Sequence, residues 1–152
     1  MNRYAKETEP DDRDHLATNV KHLIQTVVGH RIVSVERVQD EYRFATTFLT
    51  LDDGRKVEIA DSGDCCAYAE VRAFLLHPEM VEHVITGVGT TDGLTSWHIY
   101  ASMGDVLNLT VEFGVGSGYY SYGFNICVVE LDGERRELDR WSDYSDAKIE
   151  AK

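Results

Sequence analysis

The densest group of chemically capable side chains is Asp61, Asp64, Cys65, Cys66 and Glu70, five residues within ten positions. The expected strand-to-helix junction here would offer free backbone N–H groups and a helix dipole, both of which favour a negative group. A cysteine in the first helical turn can have its thiol pKa lowered from about 8.5. Asp61 and Asp64 oppose that change, because neighbouring carboxylates disfavour a thiolate. The ordinary alternative makes Asp64 a helix N-cap and the two cysteines small buried fillers. A zinc site would need His77, His83 or His98 beside the thiolates. Zinc ligands are normally spaced Cys-x₂₋₄-Cys so that both sulfurs reach one ion, which an adjacent pair seldom does. No metal and no cofactor is therefore expected.

A second group is Trp97, His98 and Tyr100. Residues i and i+2 of a strand share a face, so His98 and Tyr100 project together and could line a binding surface. A third is the run from Gly114 to Gly123 with Tyr119, Tyr120 and Tyr122. It matches no phosphate loop, since such a loop follows a strand and opens a helix. It reads as a glycine-rich hairpin loop whose tyrosines suit an interface, or as a sheet bend with the tyrosines packed inward. No serine stands in a nucleophile-elbow context.

The elements that must hold these residues follow from periodicity. Leu16, Val20, Leu23, Ile24, Val27 and Val28 recur at helical spacing after Asp14, a candidate N-cap. Gly29 stands where a left-handed residue would end that helix. Residues 31–38, 46–51 and 55–59 are rich in β-branched side chains. Asp53-Gly54 between the last two suits a type I′ hairpin turn. A second, short helix is expected at about 65–77, stopped by Pro78. Further strands follow at 83–90, 95–101, 106–113, 122–131 and 134–141, with turns at Asp92-Gly93, Gly104-Asp105 and Asp132-Gly133. Tight turns imply antiparallel pairing, because parallel strands need a long crossover. The expected fold is α+β: one curved, meander-like antiparallel sheet of six to seven strands packed on the N-terminal helix. Residues 1–13 read as a flexible arm, 14–141 as one domain and 142–152 as a polar tail.

At 152 residues, a single domain can bury roughly 70% of its extended-chain surface. The net charge of −12 argues against direct nucleic-acid binding, which needs clustered Lys and Arg. It also disfavours anionic membranes. No apolar run is long enough to span a bilayer. Three cysteines do not form a secreted disulfide framework, so a cytoplasmic protein is expected.

Residues 61–70, Asp-Ser-Gly-Asp-Cys-Cys-Ala-Tyr-Ala-Glu, and residues 83–101, from His83-Val84-Ile85-Thr86-Gly87 to Trp97-His98-Ile99-Tyr100-Ala101, carry a likeness. Together they resemble an uncharacterised family of small proteins from actinobacteria and their bacteriophages. With the preceding hairpin and Tyr122-Gly123-Phe124, the likeness spans roughly residues 29–129. It implies a small phage or actinobacterial cytoplasmic protein and no catalytic residues. The function expected is that of a non-enzymatic interaction or accessory protein that binds a host or cellular protein. The alternatives are an acidic nucleic-acid mimic that occupies a DNA-binding protein, and a thiol- or metal-dependent enzyme centred on Asp61, Asp64, Cys65 and Cys66.

Overall fold

A computed structural model describes residues 15–40, 44–63, 67–115 and 123–140. The helix α1 covers His15–Val27. Its apolar stripe of Leu16, Val20, Leu23 and Val27 is buried, as the 3.6-residue period requires. Gly29, with φ +92°, closes the helix in the left-handed region that glycine enters at no steric cost. Asp14 lies outside the described residues.

Ten strands follow. β1 is Ile32–Gln39, β2 Ala45–Leu51, β3 Lys56–Ala60, β4 Ser62–Gly63 and β5 Ala67–Leu76. A one-turn 3-10 helix, Pro78–Met80, precedes β6 at Ile85–Thr91, β7 at Ser96–Ala101 and β8 at Gly104–Val115. β9 is Asn125–Val129 and β10 is Arg135–Asp139. They form two antiparallel sheets, ordered β1-β2-β3-β9-β10 and β4-β5-β8-β7-β6.

This corrects three expectations. The protein is mostly β, with two sheets curled into a half-barrel rather than one meander. Strands distant in sequence are inserted beside each other: β9 pairs with β3, and β5 with β8. The second helix at about 65–77 is not formed: residues 67–76 are the strand β5. Short apolar runs are ambiguous between helix and strand. Here long-range pairing decides, because β5 runs in register with β8 from Ala67↔Val115 to Leu76↔Leu107. Ala69 and Val71 point into the core while Tyr68 and Glu70 are half-exposed, a period of two.

Two turns also differ from expectation. At 52–54 only Gly54 has positive φ, and the Gly54 amide donates to the Leu51 carbonyl. That is a three-residue loop closing with a left-handed glycine rather than a type I′ pair. The loop at 131–133 repeats it through Gly133. The β7–β8 turn lies at Ser102-Met103, two residues before Gly104-Asp105, because Ala101 pairs with Gly104.

The core joins the helix stripe to the inner faces of both sheets, including Leu49, Ile59, Val71, Ile99, Leu109 and Phe124. A buried polar knot fixes the helix. The Asn19 side chain accepts from the Phe124 amide at 2.5 Å and donates to the Phe124 carbonyl at 3.0 Å. It also donates to Asp139 at 2.7 Å, and His22 reaches the other oxygen of that carboxylate at 2.7 Å. Gly123 permits this approach: a Cβ there would sit 2.6 Å from Asn19 Oδ1 and 2.8 Å from the His15 carbonyl oxygen.

Candidate functional site

The outer face of β6, β7 and β8 gathers the largest chain of directed polar contacts involving the expected site residues. Cross-strand register places Asn108 opposite His98 and His98 opposite Gly89. An irregularity between Ile99 and Tyr100 brings Asp105 opposite Tyr100, one step from His98. His98 Nδ1 lies 2.9 Å from Asp105 Oδ2, and His98 Nε2 lies 2.9 Å from Thr91 Oγ1. Asn108 Nδ2 donates to the same Asp105 oxygen at 2.9 Å, while its Oδ1 faces His77 Nε2 at 2.6 Å.

Donor and acceptor chemistry orients the bonds to Asp105. The ionised Asp105 only accepts, so His98 Nδ1 carries a proton and the Asn108 amide nitrogen faces Asp105. In the neutral imidazole His98 Nε2 is then a lone pair that accepts from the Thr91 hydroxyl. Asn108 Oδ1 accepts in turn from a protonated His77 Nε2. Burial pushes the Asp105 carboxyl up, but the hydrogen bonds from Asn108 and His98 outweigh it and hold it below the usual carboxylate value.

Tyr100 shares this face with His98, as strand alternation requires. Its ring lies against Gly87, where a Cβ would come within 2.3 Å of the hydroxyl oxygen. Tyr68 covers Gly114 on β8 in the same way. Gly87 and Gly114 thus share one device, an aromatic ring laid across a strand glycine. Trp97 points the other way. It is fully buried, meets Phe124 edge-to-face at 5.5 Å and donates Nε1–H to the Leu94 carbonyl. It belongs to the core and not to a binding face.

Asp61 is also structural. It sits between β3 and β4, buried, and accepts from the Ala45 amide of β2 at 3.3 Å and the Val71 amide of β5 at 3.1 Å. It therefore clips one sheet to the other. Burial pushes its carboxyl up to about 6, against the lowering pull of those amides and of Arg37. Glu70 is half-exposed and pairs with Arg72 at 3.0 Å. Asp64, Cys65, Cys66, Tyr119, Tyr120 and Tyr122 lie outside the described residues. Cys127 is buried.

Among the described residues, His30, Asp52 and Asp53 alone bring three metal-capable atoms within 4.8 Å of one another. Arg55 fills this corner. It donates to Asp53 at 2.8 Å and points Nη2 at His30 Nε2, 3.2 Å away. Arginine cannot accept, so Nε2 holds the lone pair and Nδ1–H donates to Asp52 at 3.1 Å. The Nδ1 lone pair that a cation would need is thus absent, and a fixed positive charge stands beside it.

The sheet edges differ in character. β1 carries Glu36 and Arg37, and β10 carries Arg135, Arg136 and Glu137. The start of β6 is tied to the end of the helix, through Gly29 N–H to the Ile85 carbonyl and Ile85 N–H to the His30 carbonyl. β5 is covered by β4 only at Tyr68 and Ala69. Beyond Val71 its outer edge has no strand partner among the described residues. There Phe74 is 36% and Leu75 57% exposed.

Among the described residues no helix is long and apolar enough to cross a membrane. No curated protein and no solved structure matches the chain. Residues 25–126 match a family model described as a domain of unknown function, DUF7448.

Proposed function

Because the chain belongs to the DUF7448 family, whose function is unknown, its role must come from its own residues, and we propose that it is an interaction protein that docks an extended segment of another protein along β5. The observation that carries this reading is the edge beyond Val71, which has no strand partner among the described residues and presents Ala73, Phe74 and Leu75 after Arg72. An unpaired edge offers N–H and C=O groups to an incoming strand, and alternating side chains supply selectivity. Natural edges are normally blunted by charge, as β1 and β10 are. On β5 the charge beyond Val71 is Arg72, paired with Glu70 and Glu112, and Ala73 to Leu76 carry none.

In this reading the chain is an accessory factor in the cytoplasm of an actinobacterium or a phage-infected host, acting on a host or cellular protein. The alternative of a nucleic-acid mimic draws less support. Carboxylates alternate with cations in Arg72 with Glu70 and Glu112, Arg135 with Glu58, Arg136 with Glu130 and Arg140 with Glu137. Such a surface is mottled rather than ridged. A thiol enzyme centred on Asp61 is also weakened, since both Asp61 oxygens are engaged by backbone amides.

The test is a photo-crosslinking residue placed at Leu75 and, as control, at the exposed Leu131 of the β9–β10 turn, in cells that make the protein. A discrete adduct from Leu75, lost when Ala73→Lys is added, supports the proposal. No adduct, or the same adduct from both positions, contradicts it.

A further inference from the structure

We propose that Thr91 is a base-activated hydroxyl that accepts acyl groups from small activated esters, with His98 as the base and Asp105 as the positioning residue. The order Thr91 Oγ1, His98 Nε2, His98 Nδ1, Asp105 Oδ2 has 2.9 Å at both hydrogen bonds. This is the spacing of nucleophile, base and orienting acid that makes a hydroxyl reactive. Asp105 must accept, so in the neutral imidazole the Nε2 lone pair is aimed at the Thr91 hydroxyl.

The supporting shell is built as well. Asn108 holds the Asp105 oxygen and is itself oriented by His77. His98 and Asp105 are on β7 and β8, and Thr91 ends β6. The parts therefore stand on paired strands, which hold geometry better than loops. Thr91 and His98 are each half-exposed, so a small reagent can reach them.

The step balances without a cofactor. Thr91 Oγ bonds to the ester carbonyl carbon as its proton passes to His98 Nε2. The carbonyl π electrons move to oxygen and return as the carbon–alkoxide bond breaks. The leaving alkoxide takes the proton from His98, giving a free alcohol and an acylated Thr91. Water, activated by the same nitrogen, can then release the acid. Asp92 adjoins Thr91 in the chain, and the net charge is −12, so neutral or cationic esters are favoured over anionic ones.

The experiment is to incubate the full chain with p-nitrophenyl acetate and locate acetylation by peptide mapping. Acetyl on Thr91 is expected in the wild type and in Thr91→Ser, and none at this position in Thr91→Val. His98→Gln should slow the modification about 10²-fold, the lower end of a general-base contribution. The imidazole ¹⁵N spectrum should show the Nδ1–H tautomer in the wild type and the Nε2–H tautomer in Asp105→Asn, with acylation lost in that variant. An unmodified Thr91 in the wild type would overturn the proposal, as would equal rates with and without His98.

Discussion

At the scale of single residues, the polar groups in this protein divide into those that hold the sheets together and those that face outward. Asp61 is the clearest of the first kind. Burial raises its folded pKa to about 6, above the ordinary carboxyl value of 3.8. A raised carboxyl pKa adds stability that is complete below about pH 3.8 and lost as pH rises through about 6. The wild type should therefore gain on Asp61→Asn as pH falls from about 7 to 4, by on the order of 2 kcal/mol. Urea midpoints for both proteins across that range check this; a constant difference would contradict it. Gly123 tests the helix knot. Gly123→Ala forces a methyl against Asn19 and the His15 carbonyl and should cost about 1–3 kcal/mol, read from the same denaturation curves. A cost below about 0.5 kcal/mol would mean that the contact is looser than described.

Much of this layer was out of reach of the sequence. That His98 and Tyr100 share a face followed from alternation alone. Thr91, Asp105 and Asn108 did not, because their meeting depends on the register of β7 against β8. That register hinges on a turn at Ser102-Met103 and an irregularity at Ile99/Tyr100. The turn signal at Gly104-Asp105 lies two residues after the turn that sets this register. Trp97 was grouped with its neighbours by chain proximity, and alternation puts it on the opposite face. In the sequence Asp61 is one member of a polar and thiol cluster, and only the pairing of β2 and β5 around it exposes its role as a clip.

At the scale of elements, the N-terminal helix and most strands could be located from their periods, and the glycine turns from their composition. The failure at residues 67–76 is physical. The run Ala-Tyr-Ala-Glu-Val-Arg-Ala-Phe-Leu-Leu has helix formers throughout, and its period of two is broken by the irregularity between Val71 and Ala73. Partnership with β8, more than thirty residues later, overrides local preference. The same element carries the proposed docking edge. Leu75→Lys places a charge on that exposed edge and should leave stability within about 0.5 kcal/mol. Leu109→Ala, on the buried face of β8, should cost about 2–5 kcal/mol. Thermal and urea unfolding of the two variants separate these outcomes. A large loss from Leu75→Lys would place that side chain in the core.

At the scale of the whole molecule, two curled sheets share one core with a helix seated against them. Local hairpins could be anticipated; the insertion of β9 beside β3 and of β5 beside β8 could not, since no local signal encodes long-range neighbours. The excess of negative charge acts at this scale too. Ion pairs interleave the signs locally, yet the net −12 still repels itself. Raising salt from about 0.02 M to about 0.5 M shortens the screening length severalfold and should raise the thermal midpoint. A midpoint that falls would mean that the ion pairs outweigh the general repulsion.

The account rests most heavily on the open edge of β5, and amide hydrogen exchange followed residue by residue reads it directly. Alternate amides in residues 72–76 should exchange rapidly in the isolated protein, while those of Leu107, Leu109 and Val111 on β8 stay protected. Uniformly slow exchange across 72–76 would contradict it, because every amide there would then already have a partner.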